Sequence, residues 1–160
     1  MIDAYIGLGS NLDNPKEHVK QALEELKQLP QSQLLLASKL YLSKPVGPQG
    51  QDDFVNAVAL LVTKLEPLAL LDQLQAIEQR HHRVRERHWG PRTLDLDLLL
   101  FGDQYIENSR LTVPHAELAN RDFVVGPMFE LCPELILPSG TRLKELLQQC
   151  PIDGLICVDA

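Results

Sequence analysis

The stretch W-G-P-R-T-L-D-L-D-L-L-L-F, residues 89–101, decides how this chain is read. Asp95 and Asp97 alternate with Leu94, Leu96 and Leu98, the period-two pattern of a β-strand. Side chains along a strand alternate faces, so the two carboxylates share one side and the leucines the other. Strand rise sets their roots about 6.5 Å apart, near enough to share a pair of hard cations. Isolated charge is too costly to bury, so one face of this strand must stay accessible. Directly upstream runs R-H-H-R-V-R-E-R-H-W-G-P-R, residues 80–92. A helix C-terminus attracts basic residues, which accounts for Arg80 and Arg83. It does not account for the turn Trp89-Gly90-Pro91-Arg92 that feeds the strand. Taken alone, a D-x-D pair on a strand is a weak signal and fits ordinary surface residues on an edge strand better than a metal site. Beside a cluster of arginines, it becomes equipment for phosphoryl transfer: carboxylates for magnesium, guanidinium groups for phosphate. The spacing of His81, His82 and His88 matches no standard zinc pattern.

Working outward, residues 4–10 read as a strand and 15–29 as a helix. Val19, Ala22, Leu23 and Leu26 lie on one face of that helix, with Pro15 in its first turn. Residues 34–43 read as one strand. The run K-P-V-G-P-Q-G-Q-D-D, residues 44–53, is a loop. A strand over 54–63 and a helix over 67–80 follow, the latter with Leu70, Leu71, Leu74 and Ile77 on its apolar side. The order is β-α-β-β-α-β, the α+β ferredoxin-like pattern: an antiparallel sheet with helices packed on one face. Residues 102–160 form a less regular C-terminal extension, with a turn at Gly102-Asp103 and a helix over 141–149. Segments 43–53 and 82–90 are long connections, of the kind that serve as active-site lids.

The 160 residues suit a single domain, residues 1–160, with a real core. The net charge of −7 argues against a dedicated nucleic-acid binder, so the basic run is a local site on an acidic protein. No basic leader precedes the first strand and no apolar run reaches membrane-spanning length. Three cysteines without a C-x-x-C fit reduced thiols in a cytoplasm. Phe54 and Asn56, two apart on a strand, share a face. That aromatic and amide suit a flat heterocycle, and suit equally a core Phe and a strand-end Asn. His115, after Pro114, reads as a phosphate contact or a turn residue.

Further motifs join these: G-S-N-L at 9–12, P-V-G-P-Q at 45–49, F-V-N-A at 54–57, R-V-R at 83–85, R-L-T-V-P-H at 110–115 and N-R-D-F at 120–123. In this order, and with the long motif at 89–99, the chain resembles the hydroxymethyldihydropterin pyrophosphokinase family along nearly its whole length. The resemblance implies diphosphate transfer from ATP to the hydroxymethyl group of the dihydropterin, releasing AMP, in folate biosynthesis. It implies that Asp95 and Asp97 hold two Mg²⁺ ions, and that Arg83 and Arg92 act with them in catalysis. Arg85, Arg110, Arg121, His115, Gln75 and Trp89 map to the nucleotide and phosphate site, and Leu71, Glu78, Leu98 and Thr112 lie around the nucleotide. The pterin is expected between Phe54 and Phe123, with Asn56 and the backbone of Ser43, Pro45 and Val46 reading its edge. Ala116 stands where a tyrosine or proline is often found, and Phe54 lacks the hydroxyl of the tyrosine in some relatives. The expected partners are ATP and the pterin, with no nucleic acid and no membrane, for a cytoplasmic monomer. Two rivals share pieces of the pattern. A two-metal phosphoesterase would hydrolyse without an acceptor, and an RNA-binding module would ignore ATP and bind RNA in a salt-dependent way.

Overall fold

A computed structural model of the chain describes residues 1–11, 14–43, 54–81, 93–115, 118, 122–149 and 156–157. At 43, 122, 123, 149 and 156 it describes the backbone alone. The first strand is β1 (Ile2–Ser10), followed by helix α1 (Pro15–Leu26). Three strands come next: β2 (Ser32–Ala37), β3 (Tyr41–Ser43) and β4 (Phe54–Thr63). Helix α2 (Pro67–Arg80) leads into β5 (Asp95–Phe101). The remainder holds β6 (Ile106–Glu107), β7 (Thr112–Val113), α3 (Asp122–Leu131), α4 (Leu143–Gln149) and β8 (Ile156–Cys157).

The main sheet runs β5-β1-β4-β3-β8, with β2 also paired to β4, and every pairing is antiparallel. Strands β6 and β7 form a separate hairpin. Strand alternation sorts the apolar residues into two cores. Ala4, Ile6 and Leu8 of β1 pack with Ala57, Ala59 and Leu61 of β4 and Leu96 and Leu98 of β5, under Val19, Ala22 and Leu26 of α1 and Leu70, Leu74 and Ile77 of α2. Tyr5, Val58, Leu60, Leu99 and Leu100 face the other way, against Val124, Val125 and Met128 of α3 and Leu143 and Leu146 of α4. The sheet is therefore covered on both faces, not on one as the element order implied. The second layer comes from the C-terminal extension. Leu99 and Leu100 share a side although consecutive, because a bulge in the pairing to β1 inserts an extra residue at Leu99.

Two further expectations change. The strand read over 34–43 is two strands, broken at residues 38–40. Ser38 makes the break: its N–H donates to the Val58 carbonyl at 2.8 Å while its Oγ accepts from the Val58 N–H at 2.9 Å. Helix α1 stops at Leu26, short of the expected Leu29, because Gln28 and Leu29 donate to Glu25 and Leu26 in a tightened last turn. Pro30 then follows, and a residue before proline avoids helical geometry. The expected helix over 141–149 begins at Leu143, since Arg142 bridges to Ile136. The boundaries of β4 and α2 match the sequence reading. No helix among the described residues is long and apolar enough to cross a membrane.

The end of α2, from which the arginine-rich segment departs, is tied to α1 by a partly buried polar chain. His81 places Nε2 2.6 Å from Glu25 Oε1 and Nδ1 2.6 Å from His18 Nδ1, and Arg80 donates to Glu25 Oε2 at 3.2 Å. The donor and acceptor roles along this chain of contacts follow from the tautomers of the two imidazoles. His81 is 6% exposed and Glu25 15%, so removing the imidazole leaves a mostly buried carboxylate short of a donor. We expect His81→Ala to lose about 1–3 kcal/mol of stability, read as a lower urea midpoint. An unchanged midpoint would show that the chain contributes nothing net.

Candidate active site

Strand β5 is an edge of the main sheet, and edge strands carry backbone groups that need other partners. Glu78 of α2, 2% exposed, accepts the Leu96 N–H at 2.8 Å, and the His115 N–H donates to the Leu99 carbonyl at 3.0 Å. These bonds bring α2 and residues 110–115 against the two ends of the strand. The result is an open cleft of about 280 Å³ around the β5 edge. Leu71, Gln75 and Glu78 line it from α2, Asp95, Asp97 and Leu98 from β5, and Arg110, Thr112 and His115 from the following segment. Nine residues named from the sequence thus converge on one cavity. Leu96 and Leu111 also line it and were not singled out.

Leu96 and Leu98 pack toward α1 and α2, so Asp95 and Asp97 project from the opposite face of the sheet. Both are partly exposed. The His115 imidazole stands at 4.0 Å from Asp97, Nε2 to Oδ2. Arg110 Nη2 donates to Asp72 Oδ1 at 2.6 Å and to Gln75 Oε1 at 3.2 Å. Asn108 holds the turn before it, its Oδ1 accepting the N–H groups of Arg110 and Leu111.

The register of the sheet connects this cleft to Phe54 and Asn56. Gly9 pairs with Asn56 on one side and Asp95 on the other; Gly7 pairs with Val58 and Asp97. Directly opposed residues share a face, so Asn56, Gly9 and Asp95 form one row across three strands. Gly9 has no side chain to interrupt it. A Cβ there would stand 3.2 Å from Asn56 Oδ1 and 3.8 Å from Phe54 Cδ1. Asn56 is 3% exposed and donates from Nδ2 to the Phe54 carbonyl at a long 3.5 Å. Bare backbone at Gly9 is therefore all that separates the amide and the aromatic from the carboxylates along this row. Sequence spacing alone could not reveal it, since it depends on pairing register.

Ser43 and Phe123 sit on β3 and α3 as backbone positions. Pro45, Val46, Arg83, Arg85, Trp89, Arg92 and Arg121 lie outside the described residues, as do the expected lid segments apart from Ser43. Among the described residues no three His, Cys, Asp or Glu side chains group as a metal site. A metal here would rest on the two aspartates together with oxygens of its substrate.

Residues 5–133 match the family model described as 7,8-dihydro-6-hydroxymethylpterin-pyrophosphokinase. A 2-amino-4-hydroxy-6-hydroxymethyldihydropteridine pyrophosphokinase of Haemophilus influenzae is 52% identical over 149 residues, covering 93% of each chain. The Pseudomonas aeruginosa protein of the same name is 52% identical over 151 residues, covering 94% of this chain and 93% of its own. Among solved structures, Plasmodium falciparum HPPK-DHPS, wild type with pteroate, superposes with a TM-score of 0.71 at 12% identity. That likeness is one of fold; it covers 92% of this chain and 42% of the other, so this chain spans less than half of that protein. With a family match across most of its length and two relatives at this identity, the chain belongs to the 7,8-dihydro-6-hydroxymethylpterin-pyrophosphokinase family.

Proposed function

We propose that this chain transfers diphosphate from ATP to the hydroxymethyl group of 6-hydroxymethyl-7,8-dihydropterin, giving AMP and the pterin diphosphate in folate biosynthesis. The observation that carries this is the row Asn56–Gly9–Asp95, which joins a heterocycle-binding pair to a carboxylate pair across bare backbone. The strand order and antiparallel pairings support a ferredoxin-like core. One domain of a cytoplasmic monomer does this work on small molecules, without nucleic acid or membrane.

The donor set fits hard cations. Asp95 and Asp97 offer oxygen donors on one partly exposed face. These two residues would hold two Mg²⁺ ions, whose chemistry when bound is to neutralise and orient the triphosphate. The chain's own residues supply the rest. Leu71, Leu98 and Leu111 offer apolar walls to a flat base, with Gln75 and Thr112 as polar neighbours. Arg110 is held by an exposed pair with Asp72, a weak tie that it can exchange for a phosphate. His115, beside Asp97, is placed to donate to a phosphate oxygen. Phe54 stacks one face of the pterin and Asn56 pairs with its edge, with Phe123, Ser43, Pro45 and Val46 completing that side. Arg83, Arg85, Arg92 and Arg121 bind phosphate oxygens, and Trp89 flanks the nucleotide. Attack by an alcohol oxygen on phosphorus needs in-line placement and charge neutralisation more than a strong base, and no residue here is assigned as one. The test is metal dependence: EDTA should abolish turnover and excess Mg²⁺ restore it. Full turnover in EDTA would remove the carboxylates from this role.

A further inference from the structure

We propose that Glu130 of α3 is a positioning residue for the pterin side of the site, clamping β3 in place through both carboxylate oxygens. The inference rests on the assignment of Phe54, Asn56 and Phe123 to the pterin. Glu130 Oε2 accepts the Lys39 N–H at 3.0 Å, and Oε1 accepts the Tyr41 hydroxyl. These bonds fall where the sheet is weakest. Strand β3 has three residues, pairs with β4 through three positions and with β8 through two, and begins just after the break at residues 38–40. Ser38 anchors that break to Val58 on the sheet side. Glu130 gives the next N–H, that of Lys39, its partner from the helix side.

The clamped strand is not remote from the chemistry. Tyr41 pairs with Asn56 and Ser43 pairs with Phe54, so the height of β3 sets the backbone beside both. Glu130 itself lies seven residues, two helical turns, after position 123 on α3. One carboxylate therefore ties the helix that carries Phe123 to the strand that borders Asn56 and Phe54. Burial, then the hydrogen bond and charge of Glu130, push the Tyr41 phenol well above its usual range, so it stays a donor at any working pH.

The experiment compares Glu130→Ala, Tyr41→Phe and the double variant with the parent protein. It reads the dissociation constants of the hydroxymethyl dihydropterin and of a nonhydrolysable ATP analogue, with thermal unfolding as a check on folding. Each single variant should weaken pterin binding roughly threefold, the scale of a solvent-exposed contact to a charged group, and leave the ATP analogue's affinity unchanged. The double variant should be little worse than either single one, because both remove the same clamp. Glu130→Gln, which keeps one accepting oxygen, should fall between parent and alanine. A lowered melting temperature with pterin affinity intact, or equal weakening of both ligands, would overturn the proposal. Asn56→Ala separates the two layers of inference. If it weakens pterin binding while Glu130→Ala does not, the clamp is wrong; if Glu130→Ala weakens it while Asn56→Ala does not, the pterin assignment is wrong.

Discussion

Replacing Asp97 by alanine leaves a folded protein whose turnover falls by roughly three orders of magnitude. The two halves of that expectation have separate causes. Leu96 and Leu98, on either side of Asp97, carry the packing against α1 and α2, so trimming the intervening carboxylate opens no cavity in the core. The Asp97 side chain is 30% exposed, and its loss removes repulsion from Asp95. Circular dichroism and the unfolding midpoint should stay near those of the parent. Turnover has no such tolerance, because charge on the triphosphate goes uncompensated where the reaction must concentrate it. Asp95→Ala should behave alike, with an added effect on the pterin side, since Asp95 stands in the same row as Gly9 and Asn56. Near-normal turnover of either variant in saturating Mg²⁺ would take that aspartate out of the metal site.

Gly9→Val should lower kcat/KM for the pterin about 100-fold, the order of loss that follows a misplacement of about 1 Å. A single added Cβ already meets Asn56 Oδ1 at 3.2 Å, and valine adds two methyl groups beyond it. Asn56 is buried and has little room to retreat. The ATP analogue should bind as before, because the cleft lining at the β5 edge does not include Gly9. Gly7→Ala is the contrast: its Cβ would touch only the Leu99 side chain, at 3.4 Å and beyond, an ordinary contact that the fold accepts. Binding titrations of each ligand to both variants decide the matter. Unimpaired pterin binding by Gly9→Val would mean that the pterin does not lie along the Asn56–Gly9–Asp95 row.

The parts of this fold that were legible in the sequence are those set by local pattern. The alternation at residues 94–98 defined β5, and Pro67 with its leucine periodicity defined α2. The parts that escaped depend on distant partners. The run L-L-L-A-S-K-L-Y-L-S is apolar almost throughout, and only the contact of Ser38 with Val58 breaks it into β2 and β3. Helix α3 carries Pro127 and has no charged residue between Asp122 and Glu130, so no polar face marks it in the sequence. A sign of the second layer was nevertheless present. The interior of β4 is apolar on successive residues, which suits a strand covered on both sides. For the candidate site, the aspartates were legible from spacing, and the other cleft residues, Leu96 and Leu111 apart, from resemblance. Asp72, Glu130 and the role of Gly9 were not, because each acts through a neighbour brought close only by the folded sheet.

Diphosphate transfer from ATP to the pterin can be followed by phosphorus NMR of the chain incubated with ATP, Mg²⁺ and 6-hydroxymethyl-7,8-dihydropterin. AMP and pterin diphosphate should appear one for one, and no nucleotide should be consumed when the pterin is omitted. ADP as the main product, or phosphate released without pterin, would contradict the account.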